Sequence, residues 1–322
     1  MKKAIPFVLI TALCFATLEP VSGHIAQNIN PSAMTAIRFI IGGIILLPFA
    51  FVAIKKHNVQ INLKTLFNLF LLSILLIGAS MVPLQYAVLE AKKAELSTAV
   101  VAIIFCCNSV FTAIFSAVIL KEKISVRSWI GIALCLVGIV ISSNISSGVG
   151  IVSVALALLS AITMGLYTVI SKKFIKAIPG VVQNAFSFIM GGIALGVVLL
   201  VFGIPLLPTS GDLVLNLGIL AYLGIVVTGI GYAAFFKAIE FGSATMGSSA
   251  FLIKPILAPF AALLVAFVFT GVFEAIAWYV WIAIPFVFVG SVLMLKPKTK
   301  KLSLSGLYSS RFFISVFRPL RV

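Results

Sequence analysis

Acidic residues are scarce in this chain. Seven carboxylates serve 322 residues, and Asp212 is the only aspartate. An intramembrane aspartyl protease needs two membrane aspartates, so that chemistry is excluded. Histidine occurs twice, at His24 and His57, both in predicted links where solvation is expected. No Gly-x-Ser-x-Gly elbow is present. General-base and nucleophilic mechanisms are therefore poorly supplied, and no enzyme is expected. The four cysteines (Cys14, Cys106, Cys107 and Cys135) lack both disulfide and metal-ligand spacing and read as small core residues. No metal and no cofactor are expected. Charge as a whole is low, at 9% of residues, against about a quarter in soluble proteins.

What is present is apolar sequence, 62% of the chain. It falls into runs near 4–23, 32–53, 65–89, 96–120, 126–143, 149–171, 181–203, 213–236, 244–270 and 275–295. Continuous runs of about 20 residues read as transmembrane helices. An outer-membrane barrel would alternate at period two, which these runs do not. The predicted fold class is an all-α polytopic membrane protein of ten transmembrane helices. The first run follows Lys2 and Lys3, as in a signal peptide. Without it the second half of the chain would have a helix lacking a counterpart, so it is read as helix 1.

The net charge of +16 raises nucleic acid as a partner, but the distribution answers otherwise. With residue 1 placed in the cytoplasm, nineteen of the 23 lysines and arginines fall on that side. Two, Lys92 and Lys93, fall on the other. This is a strong positive-inside bias, and both termini are expected to be cytoplasmic. The remaining two, Arg38 and Lys254, lie inside apolar runs.

The chain repeats itself. Ala36–Ile44, "AIRFIIGGI", returns 149 residues later as Ala185–Ile193, "AFSFIMGGI", with six of nine positions identical. "VLEAKKA" (88–94) matches "AIEFGSA" (238–244), and Trp129 with Gly138 matches Trp281 with Gly290. Each copy holds five helices, an odd number, so the second copy enters from the opposite face. Two inverted five-helix repeats are expected, at 1–143 and 149–295, followed by a basic cytoplasmic tail at 296–322. Inverted repeats mark secondary transporters, with the substrate near the midplane between the copies.

The chief asymmetry between the copies is Arg38, replaced by Ser187. Arg38 lies about six residues into its helix, roughly 9 Å from the end. Glu19 on the neighbouring helix should lie at similar depth. Charges so placed pair with each other or face a wet cavity. Arg38 is expected either to bind a substrate carboxylate or phosphate or to pair with Glu19. Glu19 is expected to serve as that partner or to couple protons. Lys254, near mid-membrane and followed by Pro255, is expected to face the cavity. Tyr86, Asn108, Tyr167, Gln183, Asn184 and Tyr232 are candidate polar linings or interhelical hydrogen bonders. Gly42, Gly43, Gly191 and Gly192 are expected to permit close helix packing.

The order of these features resembles the drug/metabolite transporter superfamily, specifically the EamA-type permeases, over residues 1 to about 295. "RFIIGGI", "AIEFGSATMGSSAFLIKPILAPF", the Trp-x8-Gly spacing and the "LKEKIS" turn carry the resemblance. The helix-4 proline of that family is absent, with Asn108 and Ser109 in its region, while Pro255 keeps its place in helix 9. The resemblance implies a permease or exporter of small polar or amphipathic metabolites. Helices 1–4 and 6–9 would surround the cavity, and helices 5 and 10 would brace it or pair two chains in a homodimer. With two basic groups against one membrane acid, an anionic or zwitterionic substrate such as an amino acid is expected. The expected setting is the inner membrane and the mechanism alternating access. A multidrug or organic-cation exporter is the alternative, and a channel a weaker one.

Overall fold

The fold was obtained as a computed structural model, which describes residues 4–119, 126–143, 150–175, 178–241 and 250–295. The "LKEKIS" turn, Ser248 and Ser249, and the tail after Leu295 lie outside them. The described residues form ten helical rods: α1 (Ile5–His24), α2 (Pro31–His57), α3 (Leu63–Lys93), α4 (Thr98–Ile119), α5 (Val126–Ser143), α6 (Ile151–Ile175), α7 (Gly180–Val201), α8 (Leu213–Phe241), α9 (Ala250–Thr270) and α10 (Trp278–Leu295). Eight contain stretches long and apolar enough to span a bilayer. The apolar parts of α5 and α10 are shorter, Trp129–Ser142 and Trp278–Gly290.

Local chemistry sets the ends. Asn30 accepts from the Ser32 and Ala33 amides just before Pro31, and Ser97 accepts from Ala99. Asp212 caps α8 through Val214 and Leu215. The single aspartate is thus an N-cap.

The inversion is visible in how the links meet. The backbone of Thr209, in the α7–α8 link, donates to Asn28 in the α1–α2 link. At the same end Lys92 reaches Glu274 at 4.0 Å. The start of α7 lies at the other end, where the Gly180 amide donates to Glu240 on the last turn of α8. So α2 starts at one end of the molecule and α7 at the other.

The two copies of the glycine stretch pack on each other reciprocally. A Cβ at Gly43 would lie 2.6 Å from Ile189 Cγ1 and 3.2 Å from the Ala185 carbonyl. A Cβ at Gly192 would lie 2.7 Å from Ile40 Cγ1 and 3.0 Å from the Ala36 carbonyl. Each partner is the other's equivalent at the 149-residue offset, as two-fold pseudosymmetry requires. Only residues without a side chain permit so close a crossing of α2 and α7. Helices α5 and α10 meet in the same way, through Gly138 against Val287 and Gly290 against Cys135.

Two features were not legible in the hydropathy pattern. Ile74–Met81 in α3 and Leu223–Ile230 in α8 are π-helical, again at the 149-residue offset. Just after them the Val82 amide bonds the Ile77 carbonyl, and the Gly231 amide bonds that of Val226. Such segments mark sites of functional irregularity in helices. Pro83 lacks the amide that would close on the Ala79 carbonyl, and Thr163 of α6 donates to that carbonyl at 2.8 Å.

Candidate functional site

Two helices, α1 and α4, are interrupted within their length. Helix α1 breaks at Thr17, whose hydroxyl donates to the Cys14 carbonyl at 2.9 Å and meets the Tyr222 hydroxyl. Glu19 and Pro20 follow the break, both buried. Helix α4 breaks at Cys107. There Asn108 donates to the Phe105 carbonyl at 2.8 Å and Ser109 to that of Cys106 at 3.0 Å. Asn108 therefore closes a helix break with its amide nitrogen, in the region where the resembled family has proline.

Glu19 pairs with Lys254. The Lys254 ammonium donates to Glu19 Oε1 at 2.5 Å, and both side chains are at most 1% exposed. The same ammonium lies 4.9 Å from the centroid of the Phe105 ring. The expected Glu19–Arg38 ion pair is not formed: α9 supplies the cation instead. Glu19 Oε2, the other carboxylate oxygen, has no hydrogen-bond partner among the described residues.

Arg38 is fully buried, and all three guanidinium nitrogens lack a hydrogen-bond partner among the described residues. Its carbon lies 4.8 Å from the Phe39 ring centroid. A buried cation without a bonded anion is strongly disfavoured in apolar surroundings unless something else meets it.

The remaining candidates divide. Tyr232 is buried among Phe15, Phe188 and Phe39, with ring centroids 5.0, 5.1 and 6.0 Å away. Its hydroxyl points to Met81 Sδ at 3.6 Å, and its carbonyl accepts from Asn184 at 3.5 Å. Tyr167 is fully buried, its hydroxyl without a hydrogen-bond partner among the described residues, and Gln183 Nε2 donates to Ser171 at 2.9 Å. The acceptor oxygens of Asn184 and Gln183 are buried without partners among the described residues. Tyr86 is only half-buried. Its neighbour Gln85 is fully buried, with both amide atoms unpartnered, and Thr98 Oγ1 is likewise unpartnered. Gln85 and Thr98 fall outside the residues picked from the sequence for substrate. A polar residue inside an apolar run was the available signal, but the helix phase decides which neighbour turns inward. His24, expected to be solvated, stacks on Phe269 at 4.2 Å.

The interior thus holds buried donors on Arg38 and buried acceptors (Glu19 Oε2, Asn184 Oδ1, Gln183 Oε1), none with a hydrogen-bond partner among the described residues. The fixed charges Arg38, Lys254 and Glu19 leave one positive charge uncompensated. Among the described residues no group of three or more metal-ligating side chains converges.

The model of the EamA-like transporter family matches residues 2–144 and again 151–296. The chain belongs to the EamA-like transporter family. A Clostridium kluyveri protein named an uncharacterized transporter is 39% identical over 302 residues, covering 91% of this chain and 93% of its own. An Archaeoglobus fulgidus protein with the same name is 26% identical over 265 residues, covering 80% and 87%. One solved crystal structure superposes on this EamA-like chain with a TM-score of 0.63 at 17% identity, covering 91% of this chain and 96% of that one. That likeness bears on the fold alone. The ten-helix, two-repeat architecture of this EamA-like transporter thus agrees with its family.

Proposed function

We propose that this EamA-like transporter is an inner-membrane secondary transporter for a small zwitterionic or anionic metabolite, such as an amino acid. Arg38 holds the substrate's carboxylate, and Glu19 Oε2 accepts from its ammonium. The observation that carries this reading is the buried Arg38 guanidinium, whose nitrogens have no hydrogen-bond partner among the described residues while Lys254 already holds Glu19. A planar fork of donors suits a carboxylate.

Arg38, Glu19 and Lys254 are each 0% exposed, so a solute reaches them only if helices move. Alternating access of the two repeats supplies that motion, with the reciprocal α2–α7 crossing on the pseudosymmetry axis. The π-helical segments of α3 and α8, placed alike in both repeats, are the points where the rods deform. Both termini lie in the cytoplasm, on the lysine-rich side.

Counterflow in proteoliposomes tests the reading. Vesicles loaded with an unlabelled amino acid accumulate labelled amino acid transiently, organic cations do not compete, and Arg38→Ala abolishes the effect. A cation as sole high-affinity substrate, or normal transport by Arg38→Ala, overturns it.

A further inference from the structure

A cleft of about 470 Å³ opens on the flank of the bundle between α1, α2 and α8, away from the buried charges. Ile10, Ile45, Phe49, Val52, Ile230 and Ala233 form its apolar wall. Phe49 and Val52 are 63% and 67% exposed, so the wall faces the hydrocarbon. Along α8 the cleft runs from Gly229 to Glu240, about 16 Å at 1.5 Å per residue. One leaflet's hydrocarbon is about 15 Å thick.

Only one end of the cleft is polar, and its charge is positive. Lys56, His57, Lys237 and Glu240 meet there. Glu240 is fully engaged: Oε2 takes Lys237 at 2.7 Å, and Oε1 takes the Gly180 amide at 3.0 Å. Lys56 has no carboxylate partner among the described residues and is exposed. An apolar trough one leaflet long that ends in an unneutralised lysine fits one chemistry, an acyl chain carrying an anionic headgroup.

We infer that this cleft binds an anionic phospholipid of the lysine-rich leaflet, its acyl chain along the α2–α8 wall and its phosphate at Lys56. The occupant is a lipid and not a soluble anion because most of the lining is apolar and open to the bilayer. A lipid seated there wedges α2 against α8, the two helices that carry Arg38 and Tyr232. The inference does not depend on which solute is transported.

Native mass spectrometry of the full chain in detergent tests it. The protein is titrated with dioleoyl phosphatidylglycerol, dioleoyl phosphatidylcholine and, separately, glycerophosphoglycerol. One phosphatidylglycerol is expected to bind at least about fivefold more tightly than phosphatidylcholine, and Lys56→Ala is expected to remove that preference by about fivefold. Ala233→Trp, which fills the trough, is expected to lose the adduct while the chain elutes as wild type. If Ala233→Trp does not fold, Lys56→Ala alone decides. Equal retention of both lipids, unchanged preference in Lys56→Ala, or equal binding of the headgroup without its chains overturns the inference.

Discussion

Glu19 and Lys254 stand 235 residues apart and form a buried ion pair that joins α1 of the first repeat to α9 of the second. The pair spans the interface between the two repeats. Removing one partner from a buried pair strands the other charge, and the penalty is about 3–5 kcal/mol. Lys254→Met and Glu19→Gln are each expected to lower the thermal midpoint in detergent. The double variant is expected to recover most of the loss. A double variant no better than either single one contradicts the pairing.

Arg38 behaves differently. It has no hydrogen-bonded partner among the described residues to strand. Arg38→Ala is expected to fold with a midpoint at or above wild type, because an uncompensated buried charge is removed, and to lose solute binding. A binding titration beside a melting curve separates the two effects. Loss of fold in Arg38→Ala would make the arginine a structural residue.

How much of this was legible in sequence depends on range. Ten rods and an inverted repeat follow from long-range properties, apolar run length and self-similarity, which survive local irregularity. The glycine pairs follow too, since their equivalence is written in the repeat. The partner of Glu19 was not legible. Depth along the membrane placed Arg38 beside it, but pairing depends on rotation about each helix axis. The break at Thr17 resets that phase just before Glu19. Asn108 was hidden for a related reason: the break at Cys107 turns its side chain onto the Phe105 carbonyl. Gln85 and Tyr86 differ by one helical step, about 100°, and only packing decides which one is buried.

The reciprocal glycines give a graded test of the α2–α7 crossing. Gly43→Ala and Gly192→Ala each place a methyl within about 3 Å of backbone on the partner helix. Overpacking of this kind is expected to destabilise by about 1–3 kcal/mol. Gly196, one turn further along α7, has nothing within 4 Å of an added Cβ. Gly196→Ala is expected to be neutral or to stabilise by up to about 1 kcal/mol. Equal midpoints for all three would remove the crossing from the account.

Topology is open to chemical labelling because all four native cysteines are buried. Single cysteines introduced at His57 or Phe241 are expected to react with an impermeant maleimide only from the cytoplasmic side. Cysteines at Lys93 or Gly211 are expected to react only from the outside. The reverse pattern would invert the orientation read from the lysines.

The central claim is that Arg38 receives the carboxylate of the transported solute. The most direct measurement is counterflow in proteoliposomes containing wild type or Arg38→Ala, with an amino acid and its carboxamide analogue as paired solutes. The account predicts that wild type exchanges the amino acid and not the carboxamide, while Arg38→Ala exchanges neither. Equal exchange of both solutes by wild type, or undiminished amino acid exchange by Arg38→Ala, would contradict it.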